Sequence, residues 1–317
     1  MSGKEVTSPL TFEPIFIERM WGGRCLESEF HKKLPPRKRI GESWEIVDRP
    51  EAQSIVANGP LRGKTLHELW TEHRDEFFGD VRYAPRFPLL IKILDAQEKL
   101  SLQVHPPENV AGRLGGEPKS EFWYVAAAEE AELFLGFRKP IPRKKFEETL
   151  RDGTVMDYVH NISVHAGDAV FVPAGLVHAV GARNLLIEIQ QNSDTTYRIF
   201  DWNRSDPTTG TQRELHVEQA LECIDFEDLQ PKLIRPEREL LISHSLFEVQ
   251  KWNLEESRED VPLGQFAIIC CLGGRLGCVK VELAPGEIFL LPAHLEHRQL
   301  KPLAPDTSLL CVTIPKL

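Results

Sequence analysis

One twelve-residue pattern occurs twice in this chain. Gly167 to His178 reads GDAVFVPAGLVH and Gly286 to His297 reads GEIFLLPAHLEH, with glycine, proline and histidine at offsets 0, 6 and 11 in both. Glycine makes a tight turn, the apolar residues after it form a short strand, and proline ends that strand. A repeated turn–strand–turn unit implies two related β-domains in one chain.

The surrounding sequence fits that implication. PIFIERMWGG, ESWEIVD and QSIVAN read as early strands, and LLIKIL, KLSLQVHP, EFWYVA, AELFLGF, AVFVPAG and LLIEIQQ as the next series. LFEVQKWNL, QFAIICCLG, CVKVEL, EIFLLPA and SLLCVTI form a last series beyond the proline-containing connection DLQPKLIRPERE. Many short strands punctuated by Gly and Pro point to jelly-roll barrels, so the expected class is mainly β. The expected domains are residues 1–230 and 231–317. Helices are few. KTLHELWTEHRDEFFG has a capping box, Thr65 with Glu68, and places Leu66, Leu69, Trp70, His73 and Phe77 on one face. PRKKFEETLRDG is a short helix in an insert near 140–160, closed at Gly153, and ELHVEQALECIDF is another helix.

The 317 residues carry a formal net charge of −10, which argues against a nucleic-acid or anionic-membrane partner. No stretch approaches the length of a membrane span, and the opening residues lack the apolar core of a signal peptide. Six cysteines without a CxxC pair read as free, mostly buried thiols in a reducing cytoplasm. The basic run Lys32, Lys33, Arg37, Lys38 and Arg39 reads as a solvated loop.

Strand alternation puts Gln103 and His105 on one face of KLSLQVHP, with Ser101 beside them. Lys119 falls two residues before Glu121 and shares its face if the strand begins there. Glu188 and Gln190 alternate against Ile187 and Ile189, so Glu188 is expected to face a barrel interior. Trp21, Trp44, Trp123 and Trp202 read as core residues or as the floor of a pocket.

The spacing Gly-x5-Pro-x4-His resembles the second motif of the cupins. ERMWGG, GESWEIVDRPE, LSLQVHP, PKSEFWY, VPAGLVHAV and EIQQNSDTTYRIFDWNR, in that order, resemble the type I phosphomannose isomerases in their short bacterial-like form. Two departures from a generic cupin, QVH in place of HxH and a glutamate delayed to Glu121, are features of that family. The resemblance implies a double cupin. It also implies one divalent ion per chain, zinc, on Gln103, His105, Glu121 and His178, an imidazole–carboxylate–amide set that suits Zn²⁺.

The implied reaction interconverts mannose 6-phosphate and fructose 6-phosphate through an enediol, which needs an acid/base group, an electrophile and a phosphate anchor. Arg198 matches the family's active-site arginine, for enediolate oxygen or phosphate. Lys119 is an acid/base, its pKa depressed by a nearby metal and Arg198, or a phosphate ligand. Glu188 is a second candidate for proton transfer. Asp194 resembles a family residue near the site or caps a turn, and Ser101 is a phosphate contact. His297 shares the spacing of His178 but has no QxH strand beside it, so no metal site is expected in the second domain. The competing readings are a sugar-phosphate-binding cupin of little catalysis and an isomerase or epimerase of another phosphorylated sugar. The chain is expected as a monomer or homodimer.

Overall fold

A computed structural model describes residues 7–205, 210–227 and 231–315. The expected domain boundary and the first residues of the expected leaderless start fall at or in segments outside this set. Among the described residues the strands form four sheets. The first has six strands in the order Ile15–Gly23, Ile40–Ile46, Leu89–Ala96, Asn184–Gln191, Glu121–Ala128 and Ala169–Val172. Facing it is a five-stranded sheet in the order Tyr197–Phe200, Leu102–Val104, His178–Val180, Ala131–Phe137 and Val159–Val164. Trp21, Leu94, Trp123, Leu133, Leu135 and Leu186 pack between the two.

The second sandwich pairs a six-stranded sheet with a three-stranded one. The larger sheet runs Leu10–Thr11, Ile288–Leu291, Ala267–Gly273, Ser308–Thr313, Glu248–Asn253 and Leu240–Ser243. The smaller runs Val281–Leu283, Leu276–Cys278 and Lys301–Pro302. Its core is apolar, with Trp252, Ile269, Phe289 and Leu309 among its members. The architecture is thus mainly β, as two packed jelly-roll sandwiches. Leu10 lies opposite Leu290, so an N-terminal segment completes the C-terminal sheet.

The largest core joins the two six-stranded sheets. Ile91, Ile93, Ile187 and Ile189 from one meet Val249, Phe266, Ile268 and Leu310 from the other. Alternation does the sorting: Ile187 and Ile189 face the second sandwich, while Leu186 and Glu188 face the interior of the first.

Local expectations were met unevenly. The Thr65–Glu68 capping box forms, but the helix stops at Glu72 and a second one begins at Arg74. His73, with φ −134°, breaks the ladder, and both segments still bury Leu69, Trp70, Phe77 and Phe78. QSIVAN is no strand and makes isolated bridges, Asp48 with Gln53 and Ile55 with Thr65. The insert helix spans Arg143–Asp152 and ends at Gly153, whose φ of 78° is the left-handed cap that glycine adopts freely. The later helix shortens to Val217–Cys223. Lys32 is not solvated: its Nζ lies 2.8 Å from Glu45, and both side chains are buried. All six cysteines are unpaired, five of them buried.

Candidate active site

Two rows of side chains face each other across the first sandwich. In the five-stranded sheet, Arg198 lies opposite Gln103, and Gln103 opposite His178. Three neighbouring strands thereby carry a guanidinium, an amide and an imidazole side by side. In the six-stranded sheet, Trp44 lies opposite Lys92, Lys92 opposite Glu188, and Glu188 opposite Trp123. Glu121 opens the strand two residues before Trp123 and projects to the same side. His105 follows Gln103 by two residues, just beyond the strand end.

His105, Glu121 and His178 converge. One ligand atom from each lies within 4.8 Å of the others, and all three residues are buried. His105 Nε2 is 3.1 Å and His178 Nε2 3.9 Å from the Glu121 carboxylate. Gln103 Nε2 is 3.3 Å from His178 Nε2; exchanging the amide's oxygen and nitrogen turns an acceptor toward the same point.

The two imidazoles are set for ligation by their outer nitrogens. His105 Nδ1 is 2.9 Å from the Thr195 carbonyl and His178 Nδ1 2.8 Å from the Leu176 carbonyl. A carbonyl only accepts, so each Nδ1 carries the proton and each Nε2 presents its lone pair to the cluster. Burial pushes the His178 imidazole down to about 3 and lowers His105 as well, keeping both neutral. Burial opposes charge on Glu121, yet the Lys119 ammonium holds its carboxyl well below the usual range. Neither Glu121 oxygen has an aligned hydrogen-bond donor, though Lys119 Nζ lies 2.7 Å from Oε1. A buried carboxylate with unused lone pairs beside two Nε2 lone pairs fits a divalent cation.

Above the cluster is a cavity of about 410 Å³. Gln103, Ser101, Lys119, Glu188, Asp194 and Arg198 all line it. Trp123 and Trp21 are both buried core residues and part of its wall. Trp44 packs under Lys92, whose Nζ is 4.8 Å from the ring centre. Trp202 lies outside the cavity, donating to the Leu100 carbonyl.

Glu188 accepts from Trp123 Nε1 at 2.9 Å, and burial with the Glu121 charge raises its carboxyl to about 7. With no ion in the cluster, the Lys119 ammonium is held above its ordinary value: burial opposes its charge, but Glu121, Glu188 and Asp194 outweigh burial. Gln190, expected beside Glu188, does not line the cavity; its amide donates to the carbonyls of Gln191 and Ser193 and braces the turn before Asp194. Asp194 reaches Lys92 Nζ at 3.4 Å. Arg198 donates from Nη1 to the Glu214 carbonyl, and its Nε is buried without an acceptor.

Sequence reading missed five charged lining residues, Glu18 among them. Lys92 is buried among Glu42, Glu188 and Asp194, and Glu42 also pairs with Arg19 at 2.6 Å. Arg213 completes the group. A lysine in the centre of an otherwise apolar strand was the available signal for the first. In the second sandwich His297 is exposed.

Comparison with known proteins agrees with this geometry. A family model described as phosphomannose isomerase type I, catalytic domain, matches residues 10–139. A probable mannose-6-phosphate isomerase of Bacillus subtilis, GmuF, is 36% identical over 309 residues, covering 91% of this chain and 95% of that protein. The chain belongs to the type I phosphomannose isomerase family. A second B. subtilis member, the mannose-6-phosphate isomerase ManA, is 36% identical over 312 residues, covering 93% of this chain and 96% of that one. The crystal structure of a mannose 6-phosphate isomerase from B. subtilis superposes with a TM-score of 0.85 at 33% identity, covering 96% of this chain and 99% of that one. As a phosphomannose isomerase fold, the two sandwiches are a double cupin.

Proposed function

We propose that this family member interconverts mannose 6-phosphate and fructose 6-phosphate. The observation that carries the reading is the buried His105–Glu121–His178 cluster directly beneath a cavity lined by Lys119, Glu188 and Arg198. Gln103, His105, Glu121 and His178 would hold one divalent ion per chain, and the mixed imidazole and oxygen donors favour zinc. When bound, that ion supplies Lewis-acid polarisation of the sugar's C1 and C2 oxygens.

The protein groups do the rest. Glu188, raised to about 7 and fixed by Trp123, takes the proton from C2 and returns it to C1. Lys119, a charged donor on the cavity floor, serves the sugar oxygens as the carbonyl moves from C1 to C2. Arg198 places a permanent charge against the enediol or the phosphate. Ser101 and Asp194 orient sugar hydroxyls or phosphate from the wall. The active centre belongs to a catalytic domain of residues 1–230, with 231–317 as its packing partner. The six free thiols support a cytoplasmic setting.

Turnover of mannose 6-phosphate by zinc-loaded protein in D₂O, followed by NMR, tests the reading. Product formation is expected. Tight sugar-phosphate binding without turnover or exchange at C2 would instead identify a binder.

A further inference from the structure

The cavity is lined by both buried and part-exposed cationic side chains, Lys119 among the first and Arg213 among the second. Its floor carries Lys119, with Nζ 2.7 Å from Glu121 and 3.5 Å from His105 Nε2. A hexose 6-phosphate with C1 and C2 at this floor has its phosphorus most of a sugar chain away. Lys119 cannot serve both ends.

Arg198 and Arg213 also line the cavity, and Arg213 shares a carboxylate with a neighbouring guanidinium. Arg204 and Arg213 both pair with Asp201, and Arg213 does so through Nε at 2.7 Å and Nη2 at 2.6 Å. Arg198 has no carboxylate within 4.0 Å among the described residues. Among the described residues the three guanidinia of Arg198, Arg204 and Arg213 and the one carboxylate of Asp201 sum to two positive charges, which matches a phosphate monoester at neutral pH. Asp201 is buried, whereas the Arg213 side chain is 25% exposed and lines the cavity. With Nε and Nη2 committed to Asp201, Arg213 keeps its Nη1 donors for a ligand.

Arg213 and Arg198 are also fixed relative to each other. The Arg198 backbone N–H donates to His216 Nδ1, and the His216 N–H donates to the Arg198 carbonyl at 2.7 Å. The Arg198 side chain is tied to Glu214. The segment carrying Arg213 therefore runs stitched along the strand carrying Arg198.

We infer that Arg213 is a specificity-determining residue that grips the sugar's 6-phosphate together with Arg198, and that Asp201 is the positioning residue that aims it. The inference rests on the isomerase reading for the identity of the sugar, but not for the anion site.

Calorimetry with inorganic phosphate and steady-state kinetics with mannose 6-phosphate, on metal-loaded full-length protein, test it. Arg213→Met should weaken phosphate binding roughly ten- to hundredfold, the range for charge-assisted hydrogen bonds. KM should rise by a similar factor, kcat should fall by less, and metal content should stay at the wild-type level. Asp201→Asn should move KM and phosphate affinity the same way by a smaller factor. Unchanged phosphate affinity and KM in folded Arg213→Met would overturn the inference. If that variant does not fold, Arg213→Lys carries the test: the lost fork should weaken phosphate severalfold, and wild-type affinity would overturn the assignment. Wild-type protein that binds phosphate through Arg213 but turns over no sugar would sink the isomerase reading and leave the anion site standing.

Discussion

Single residues in this site do work that only their surroundings explain. Glu42 is an example. Burial pushes its carboxyl up, but Lys92, Arg19 and the Trp44 indole outweigh burial and bring it to about 2. A group whose folded pKa lies below its ordinary 4.5 adds stability that is complete above that value and is lost as pH falls toward 2. The contribution is on the order of 3 kcal/mol. Chemical denaturation of metal-free protein between pH 5 and about 2.5 should show this loss, and Glu42→Gln should flatten it. Equal slopes for both proteins would show that Glu42 is not held by its cations. Alternation in LSLQVHP made the shared side of Gln103 and His105 legible, while Glu121 and His178 came from the family resemblance. Lys92 was not legible, because apolar neighbours dominate its strand, and neither was Glu42, because its pairing with Lys92 across strands cannot be read from one strand.

At the scale of elements, local chemistry and tertiary demand diverge at identifiable points. The capping box at Thr65 was readable because it satisfies two backbone donors within four residues. Thr65→Ala should cost about 1 kcal/mol in thermal or urea unfolding, with Thr65→Ser close to wild type. A loss below a few tenths would mean that tertiary packing alone holds the segment. The break at His73 was not readable, since the apolar spacing continues through it and Phe77 reaches the same core from the second helix. Gly175 shows the reverse case. It has φ 95° in the turn that delivers His178, and the repeat's PAGLVH spelling already marked that turn.

For the molecule as a whole, two sandwiches share one core. Phe266 of the second packs edge-on against Phe78 at 5.6 Å, and against Phe87 at 5.7 Å, between centroids. Phe266→Ala should cost about 3–5 kcal/mol and lower a single unfolding transition followed by any probe. Separate transitions, with the first sandwich unaffected, would mean that the lobes fold independently. The repeat announced two β-units, but not that Leu10–Thr11 would cross over to the C-terminal sheet, because two residues carry no periodicity.

The central claim is that buried ligands in the first sandwich hold a cation essential to isomerisation. Metal content measured alongside mannose 6-phosphate turnover, for wild type, Glu121→Ala and Arg198→Ala, tests it most directly. The expected result is about one zinc per chain and turnover in wild type, loss of both in Glu121→Ala, and retained metal with turnover reduced a hundredfold or more (on the order of 3 kcal/mol of barrier) in Arg198→Ala. Full activity in a metal-free Glu121→Ala protein would contradict the account.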